Sequence, residues 1–473
     1  MITFNELVTG ITENLTATSR IIITEAVIDS RKAIPGSLFV ALPGERTNGH
    51  RFIQAAFEKG AHIALIQEDV ADCMQTLDLR NVKPGKIVDA PEPPFCIRVD
   101  DSLQALQNIA RYWRQQLELK VIGITGSVGK SSTKELIAEV LSQRFHVFKN
   151  PGNYNNEIGL PLTILNLGEG YGIMVAEMGF YYPGEIRFLC EIAKPDIGIL
   201  TNIGTVHAER AGTQETIANG KAELLESLPT APQGMAILNY DDPLVREMAT
   251  KTKAGIIFYG LNPEADLWAD EIQSKGLKGI QFRLHYQGKS NKLQIPMLGR
   301  HSVQTVLRAS AAAFSLGMTW EEIIEGLIHS STQLRLITVQ TPSGALILDD
   351  TYNATPESTI AALDLLSEIK GYKIAVLGDM LELGSYERSG HEQVGQRAAE
   401  VVNYLITIGT RGEIIAETAI KHGLPSTATT CLKDALEAAN LLKYNLRDDC
   451  IVLIKGSRSL EMNRISAILE ESA

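Results

Sequence analysis

The residues best equipped for chemistry begin with TGSVGKSS, residues 125–132. Gly129, Lys130 and Ser131 end the run as a phosphate-binding loop ends, G-x-x-x-x-G-K-[ST]. The first glycine of that pattern is missing, because Ile124 stands there and the early glycine is Gly126. Placement favours phosphate all the same. The loop joins a strand-like KVIGIT to a helix-like KELIAEVLSQ, so the backbone N–H groups of Thr125, Gly126, Ser127, Val128 and Gly129 and a helix N-terminus can face an anion. Lys130 would balance phosphate charge, and Ser131 or Ser132 could give Mg²⁺ an oxygen. A glycine-rich turn that binds nothing is the competing reading.

Other candidates follow at strand ends. VAEMG ends on Glu177, an acid at the edge of an open α/β sheet where ligands gather. His207 in TNIGTVHAE follows a second strand, and Lys221 lies in the helical TIANGKAELLESL. A lysine there reacts only if burial keeps its amine neutral. LGDMLELG places Asp379 and Glu382 in a strand-to-helix loop, with His391 soon after; such acids suit acid–base work and equally suit helix capping. ILDDTYNATPES supplies Asp350 and Asn353, and KGSRS sets Lys455 and Arg458 about a glycine, an arrangement suited to a carboxylate.

These side chains need a scaffold, and the chain supplies an α/β one in three parts. Residues 1–100 mix short strands (SLFVAL, HIALIQ, FCIRV) with the helix FIQAAFEKG, forming a small N-terminal α/β domain. Residues 101–331 alternate buried strands with helices, the pattern of a mostly parallel sheet; alternation over 265–297 predicts an antiparallel appendage. Residues 332–473 repeat the alternation in ALILDD, KIAVLGD, YLITIG and CIVLIKG, a Rossmann-like doubly wound domain. At 473 residues, three cores are expected. A net charge of −12 argues against nucleic acid as a partner. Five scattered cysteines without a C-x-x-C pair offer no zinc site and fit a reducing compartment. With neither a signal-like N-terminus nor an apolar run of spanning length, the expectation is a cytoplasmic protein.

In order and together, these stretches resemble the Mur ligases, ATP-dependent amide-bond enzymes of peptidoglycan precursor synthesis. DSRKAIPGSLFVALPGERTNGHRFIQAAFEKGA (29–61) looks like the family's uridine-nucleotide domain. TGSVGKSS, NYNNEIGLPLTIL, VAEMG, TNIGTVHAE, NGKAE and NYDD look like its ATP-binding domain, whose loop reads T-G-x-x-G-K-[ST]. DDTYNATPES, LGDMLELG and KGSRS resemble the branch that adds D-alanyl-D-alanine to UDP-N-acetylmuramoyl-tripeptide. The resemblance implies a central P-loop ATPase-like domain, ATP and Mg²⁺ as cofactors, and an acyl-phosphate intermediate. It implies that Lys130 contacts the ATP phosphates, that Ser131, Glu177 and His207 hold metal, and that Lys221 is carbamylated and joins them. Arg335 and Asp350 would reach the nucleotide from the last domain. Ser30, Arg31, Asn155, Asn353, Asp379, Glu382 and Arg458 would contact substrate, and the family pattern is a monomer.

The chain departs from the family at named positions. G-x-H-N-x-x-N becomes GRHSVQT, with Ser302 and Thr305 where asparagines stand; the second asparagine helps read adenine in the family. Asn48 replaces an aspartate, Leu334 replaces the glycine before Arg335, and HAERAGT differs after the histidine. Two alternatives stay open: a sister ligase for another amino acid or peptide, and a non-catalytic nucleotide-binding homologue. Intact Lys130, Glu177, His207 and Lys221 speak against the latter.

Overall fold

The computed structural model describes residues 1–473 apart from 13–15, 18, 45–46, 72–73, 83–85, 331–336 and 472–473. The three expected α/β units are present. In the first, a five-stranded sheet runs in the order Ala26–Val27, Leu38–Val40, Ile63–Ile66, Phe95–Arg98, Thr76–Asp78, and every pairing is parallel. Two short pairings flank it: Ile2–Thr3 with Ile22–Ile23, antiparallel, and Thr16–Ala17 with Ile87–Val88, parallel.

Helix Ser102–Gln116 follows, capped by Asp101, whose Oδ1 accepts the N–H groups of Leu103 and Gln104 at 2.8 and 2.9 Å. Its apolar face carries the core across residue 100. Ile109 and Trp113 pack in one hydrophobic cluster with Phe4 and Leu7 on one side and Leu160 and Ile164 on the other. Trp113 is buried, and its indole N–H is satisfied by the Leu167 carbonyl at 2.9 Å.

The central sheet has nine strands: Val147–Lys149, Ile173–Glu177, Lys120–Thr125, Ile197–Leu200, Met235–Asn239, Gly255–Gly260, Leu267–Ser274, Ile280–Tyr286 and Lys289–Ile295. The first seven are parallel; the last two add antiparallel, so the predicted appendage extends the same sheet. KVIGIT reads as an apolar run because both faces of the strand are covered. Register then sets the site. Ile124 pairs with Glu177 on one side, and Thr125 pairs with Leu200 on the other, so Glu177 and Thr201 flank the start of the loop.

The third unit orders its strands Ile337–Gln340, Leu346–Asp349, Cys450–Lys455, Tyr372–Gly378, Tyr404–Ile408, Thr429–Leu432; only the first edge strand is antiparallel. The loops after Asp349, Gly378 and Lys455 leave the same sheet edge. Among the described residues, no helix is long and apolar enough to cross a membrane.

Two glycines let the helix Gln214–Glu226, which carries Lys221, lie close on the central sheet. A Cβ at Gly123 would meet Leu224 Cδ1 at 2.9 Å, and one at Gly198 would meet Leu224 Cγ at 3.2 Å. Leu224 is fully buried there. Leu224→Ala is therefore expected to destabilise the central unit by about 2–5 kcal/mol, read as an earlier denaturant midpoint. Unchanged stability would mean that the helix is not held by this contact.

Candidate active site

The loop 126–129 turns on glycines that no other residue could replace. Gly126 has φ +144°, and a Cβ there would sit 1.9 Å from Thr201 Oγ1; Gly129 has φ +84° and caps helix Lys130–Leu141. Neighbours brace the loop. Asn202 Oδ1 accepts the N–H groups of Ser127 and Val128 at 3.2 and 2.9 Å, and Thr201 Oγ1 donates to the Val128 carbonyl at 2.7 Å. The Lys130 ammonium lies over the loop, donating to the Gly126 carbonyl at 2.7 Å and the Ser127 carbonyl at 3.3 Å. The helix N-terminus and this lysine make an anion seat.

Glu177 is the acid beside it. The Ser131 hydroxyl donates to its Oε2 at 2.6 Å and the Asn155 amide to its Oε1 at 2.9 Å, while Asn150 Oδ1 accepts the Glu177 N–H at 2.9 Å. The carboxylate is buried and fixed. An acid and a hydroxyl at the mouth of a phosphate seat are hard oxygen donors of the kind Mg²⁺ takes, completed by phosphate oxygens and water. Among the described residues, no cluster of three or more His, Cys, Asp or Glu side chains forms a metal cage by itself. The donor set therefore fits a metal that arrives with its nucleotide.

Lys221 is fully buried, and its Nζ has no hydrogen-bond partner among the described residues. The amine lies 4.8 Å from the centre of the Phe180 ring. Gly220 makes room for that ring, since a Cβ would come 2.1 Å from it. Burial, and secondarily the charge of Lys130, holds Lys221 well below the ordinary lysine pKa. A neutral buried amine keeps the lone pair that carbamylation requires.

His207 has φ +71°, an uncommon backbone for a residue with a side chain. Its Nδ1 donates to Glu382 Oε2 at 2.7 Å, a bond that joins the central unit to the third. The Tyr181 ring meets the imidazole edge-on at 4.8 Å, and the Arg210 guanidinium lies 4.4 Å from the Tyr181 ring centre. Burial lowers the His207 pKa; the Glu382 bond opposes that shift, and the charge of Lys130 reinforces it.

The third unit brings its own pieces. Lys455 is buried and donates to Asp350 Oδ2 at 2.6 Å and to the Asn353 carbonyl at 2.9 Å. The hydroxyl of Ser457 accepts the Leu381 N–H at 3.0 Å, tying KGSRS to LGDMLELG. Of the two acids left open there, Asp379 takes the capping role. Its Oδ1 accepts the N–H groups of Arg411 and Gly412 at 2.9 and 2.8 Å. Glu382 takes the other course and reaches His207. His391 is committed on both ring nitrogens: Nδ1 donates to the Glu387 carbonyl at 2.6 Å, and Nε2 accepts the Met380 N–H at 3.0 Å.

One cavity of about 560 Å³ gathers Ser127 to Ser132, Asn155, Glu177 and His207 from the central unit with Asp350 and Asn353 from the third. Lys221, Thr125 and Gly126 are not among the residues that line it. Asp379, Glu382 and Arg458 do not line it; Arg458 sits 5.9 Å from the centre of the Tyr352 ring. Ser30 and Arg31 lie apart, in the first unit. Ser30 is buried there, while Arg31 is exposed and grips Asp29 at 2.8 Å. Arg335 lies outside the described residues. Sequence reasoning passed over Gln304 and Arg308, which line the cavity beside Thr305 on helix His301–Ser315. Their spacing of one helical turn from His301 and from each other was the signal available.

Three family models match the chain: "Mur ligase family, catalytic domain" over 23–114, "Mur ligase middle domain" over 124–313, and "Mur ligase, glutamate ligase domain" over 334–458. The UDP-N-acetylmuramoyl-tripeptide–D-alanyl-D-alanine ligase of Bacillus subtilis is 37% identical over 451 residues, covering 94% of this chain and 92% of that protein. The crystal structure of MurF from Acinetobacter baumannii superposes with a TM-score of 0.83 at 29% identity, covering 99% of both chains. MurF ligase from Thermotoga maritima in complex with ADP gives 0.80 at 27% identity, covering 96% of this chain and 99% of that one.

Lys221 also fixes a pH dependence. Its folded pKa lies below its unfolded value near 10.4, so between the two the unfolded chain binds the extra proton and stability rises with pH. Lys221→Met removes that penalty. The variant should be more stable than the parent at pH 7, with the difference shrinking towards pH 10; a gap independent of pH would show that the amine is not buried in neutral form. Glu382→Gln should lower the His207 pKa further, followed by NMR of labelled histidine, because it removes the one interaction that supports the proton.

Proposed function

The chain belongs to the Mur ligase family, and from that premise we propose that it is an ATP-dependent ligase joining D-alanyl-D-alanine to UDP-N-acetylmuramoyl-tripeptide. The observation that carries the reading is the single cavity in which a braced phosphate seat, a fixed acid and side chains of the third unit face one another. A carboxylate resists attack because its charge repels nucleophiles and it has no leaving group. Transfer of the ATP γ-phosphoryl group to the tripeptide's terminal carboxylate removes both obstacles and releases ADP. The free amine of D-alanyl-D-alanine then attacks the acyl carbon, phosphate departs with the C–O bond, and the nitrogen loses a proton.

The chain's residues divide this work. Backbone N–H groups of the loop and the N-terminus of helix Lys130–Leu141 hold the phosphates. Lys130 would exchange its two loop carbonyls for phosphate oxygens, following charge build-up during transfer. Mg²⁺, when bound, would neutralise phosphate oxygens, with Ser131, Glu177, His207 and a carbamylated Lys221 as its protein ligands. Carbamylation itself needs only the neutral Lys221 amine, which adds to CO₂ and releases a proton. The Glu382–His207 bond holds the third unit against the central one, where the attacking amine has to arrive.

ADP and phosphate release should require Mg²⁺, ATP, the tripeptide nucleotide and D-alanyl-D-alanine together, with the pentapeptide mass in the product. Lys130→Ala should abolish ADP formation. ATP binding with no pentapeptide would redirect the assignment to a ligase for another amine. Lys221→Ala should be severely impaired and partly restored by an added short carboxylate; failure to restore would count against carbamylation.

A further inference from the structure

Among the described residues, three carboxylates line the nucleotide cavity, and two of them are already committed. Glu177 is held by Ser131 and Asn155 beside the phosphate seat, and Asp350 is paired with Lys455 at 2.6 Å. Glu357 is the third. Its Oε2 accepts the Thr355 hydroxyl at 3.1 Å, while its Oε1 has no partner and no cation is paired with it among the described residues.

The helix that carries Glu357 does not account for where its side chain goes. Glu357 stands in the first turn of helix Pro356–Glu368, where an acid complements the helix dipole. Thr355 already caps that helix, its hydroxyl accepting the Ser358 N–H at 3.2 Å. The Glu357 carboxylate instead crosses to the central unit. A Cβ on Gly204 would lie 2.8 Å from Glu357 Oε1 and 3.4 Å from Ser127 Cβ, and the Gly204 N–H donates to Ser127 Oγ at 2.8 Å. The uncommitted oxygen therefore rests against the opening turn of the phosphate loop, beside the segment that leads to His207.

The second half of the ligation needs a proton acceptor at that place. The α-amino group of a peptide titrates at about 7.7–8.0, so neutral amine is present near neutral pH. Once its lone pair bonds the acyl carbon, the nitrogen is positively charged and has to lose a proton before the amide can form. Neither histidine lining the cavity is placed to take it. His207 is bonded through Nδ1 to Glu382 and serves as a metal ligand in the reading above, and His301 is folded back on Gly299, where a Cβ would meet its Cε1 at 2.7 Å.

We propose that Glu357 receives the attacking amine. Its Oε1 accepts an N–H of the D-alanyl-D-alanine amino group and takes that proton as the C–N bond forms. The C–O bond to phosphate then breaks and its electron pair goes to the phosphate oxygen. The proton passes from Glu357 to the departing phosphate, which restores the carboxylate and leaves the nitrogen as a neutral amide. The proposal rests on the ligase reading above and names the base of its second step.

The test follows ADP release and product formation by the full chain with Mg²⁺, ATP and the tripeptide nucleotide, using either D-alanyl-D-alanine or hydroxylamine. Hydroxylamine is a small, reactive nucleophile that traps an acyl phosphate as the hydroxamate unaided. Glu357→Gln keeps an acceptor for the amine N–H and cannot take its proton. With the dipeptide its kcat should fall about 10²–10⁴-fold while the dipeptide KM stays near the parent value. With hydroxylamine it should form hydroxamate at the parent rate, because acyl-phosphate formation precedes the step that Glu357 serves. Glu357→Asp, a base on a shorter stem, should recover part of the lost kcat. Parent kcat with the dipeptide in Glu357→Gln overturns the proposal. So does an equal loss in both assays, which would place the damage before the amine arrives, and so does an aspartate variant no faster than the glutamine one. A wild type that makes neither pentapeptide nor hydroxamate overturns the ligase reading itself, an outcome distinct from all of these.

Discussion

The site depends on the register of three parallel strands. Pairing of Lys120–Thr125 with Ile173–Glu177 and Ile197–Leu200 delivers a loop, an acid and Thr201 to one sheet edge. Parallel pairing makes this possible, since every strand ends in the same direction and the following loops converge. The Gly126 contact with Thr201 then closes the turn too tightly for any side chain. A slip of one residue would turn Glu177 away from Ser131 and empty the anion seat of its acid.

Charge is distributed around that edge with unusual economy. Lys130 rests on carbonyls, Arg308 on hydroxyls, and Lys221 on nothing but an aromatic face. Arg308 is buried with no carboxylate paired to it among the described residues, which would be poor design for stability alone. It makes sense beside a ligand that brings negative charge. Ser131 and Asn155 donate to the two oxygens of Glu177 and hold its carboxylate at the mouth of the seat. Lys455 is the contrasting case: it is buried with Asp350 as its partner, and it braces the third unit's face of the cavity.

The third unit meets the central one beside this site. Glu382 reaches His207, and Gly384 lies so near Glu209 that a Cβ would come 2.8 Å from its backbone nitrogen. The Glu209 N–H also bonds the Glu382 carbonyl at 3.4 Å, and Leu298 of the central unit packs against the third unit's core, so the two units meet through polar and apolar contacts alike.

By itself the sequence determined the element types, the three-part order and the loop, because buried parallel strands are apolar runs and tight turns demand glycine at fixed positions. It named Lys130, Glu177, His207 and Lys221 through a family resemblance, while their spacing alone left each one ambiguous. Only the tertiary structure decided between the readings of Asp379 and Glu382: two acids in one loop look alike until one is seen capping Arg411 and the other crossing to His207. Likewise Lys221 is an ordinary helical lysine until Phe180, more than forty residues away in the chain, is found covering it. Gln304 and Arg308 went unread for the same reason. Whether a polar atom has a partner depends on residues such as Asp241 and Tyr259 that are close in space and remote in sequence.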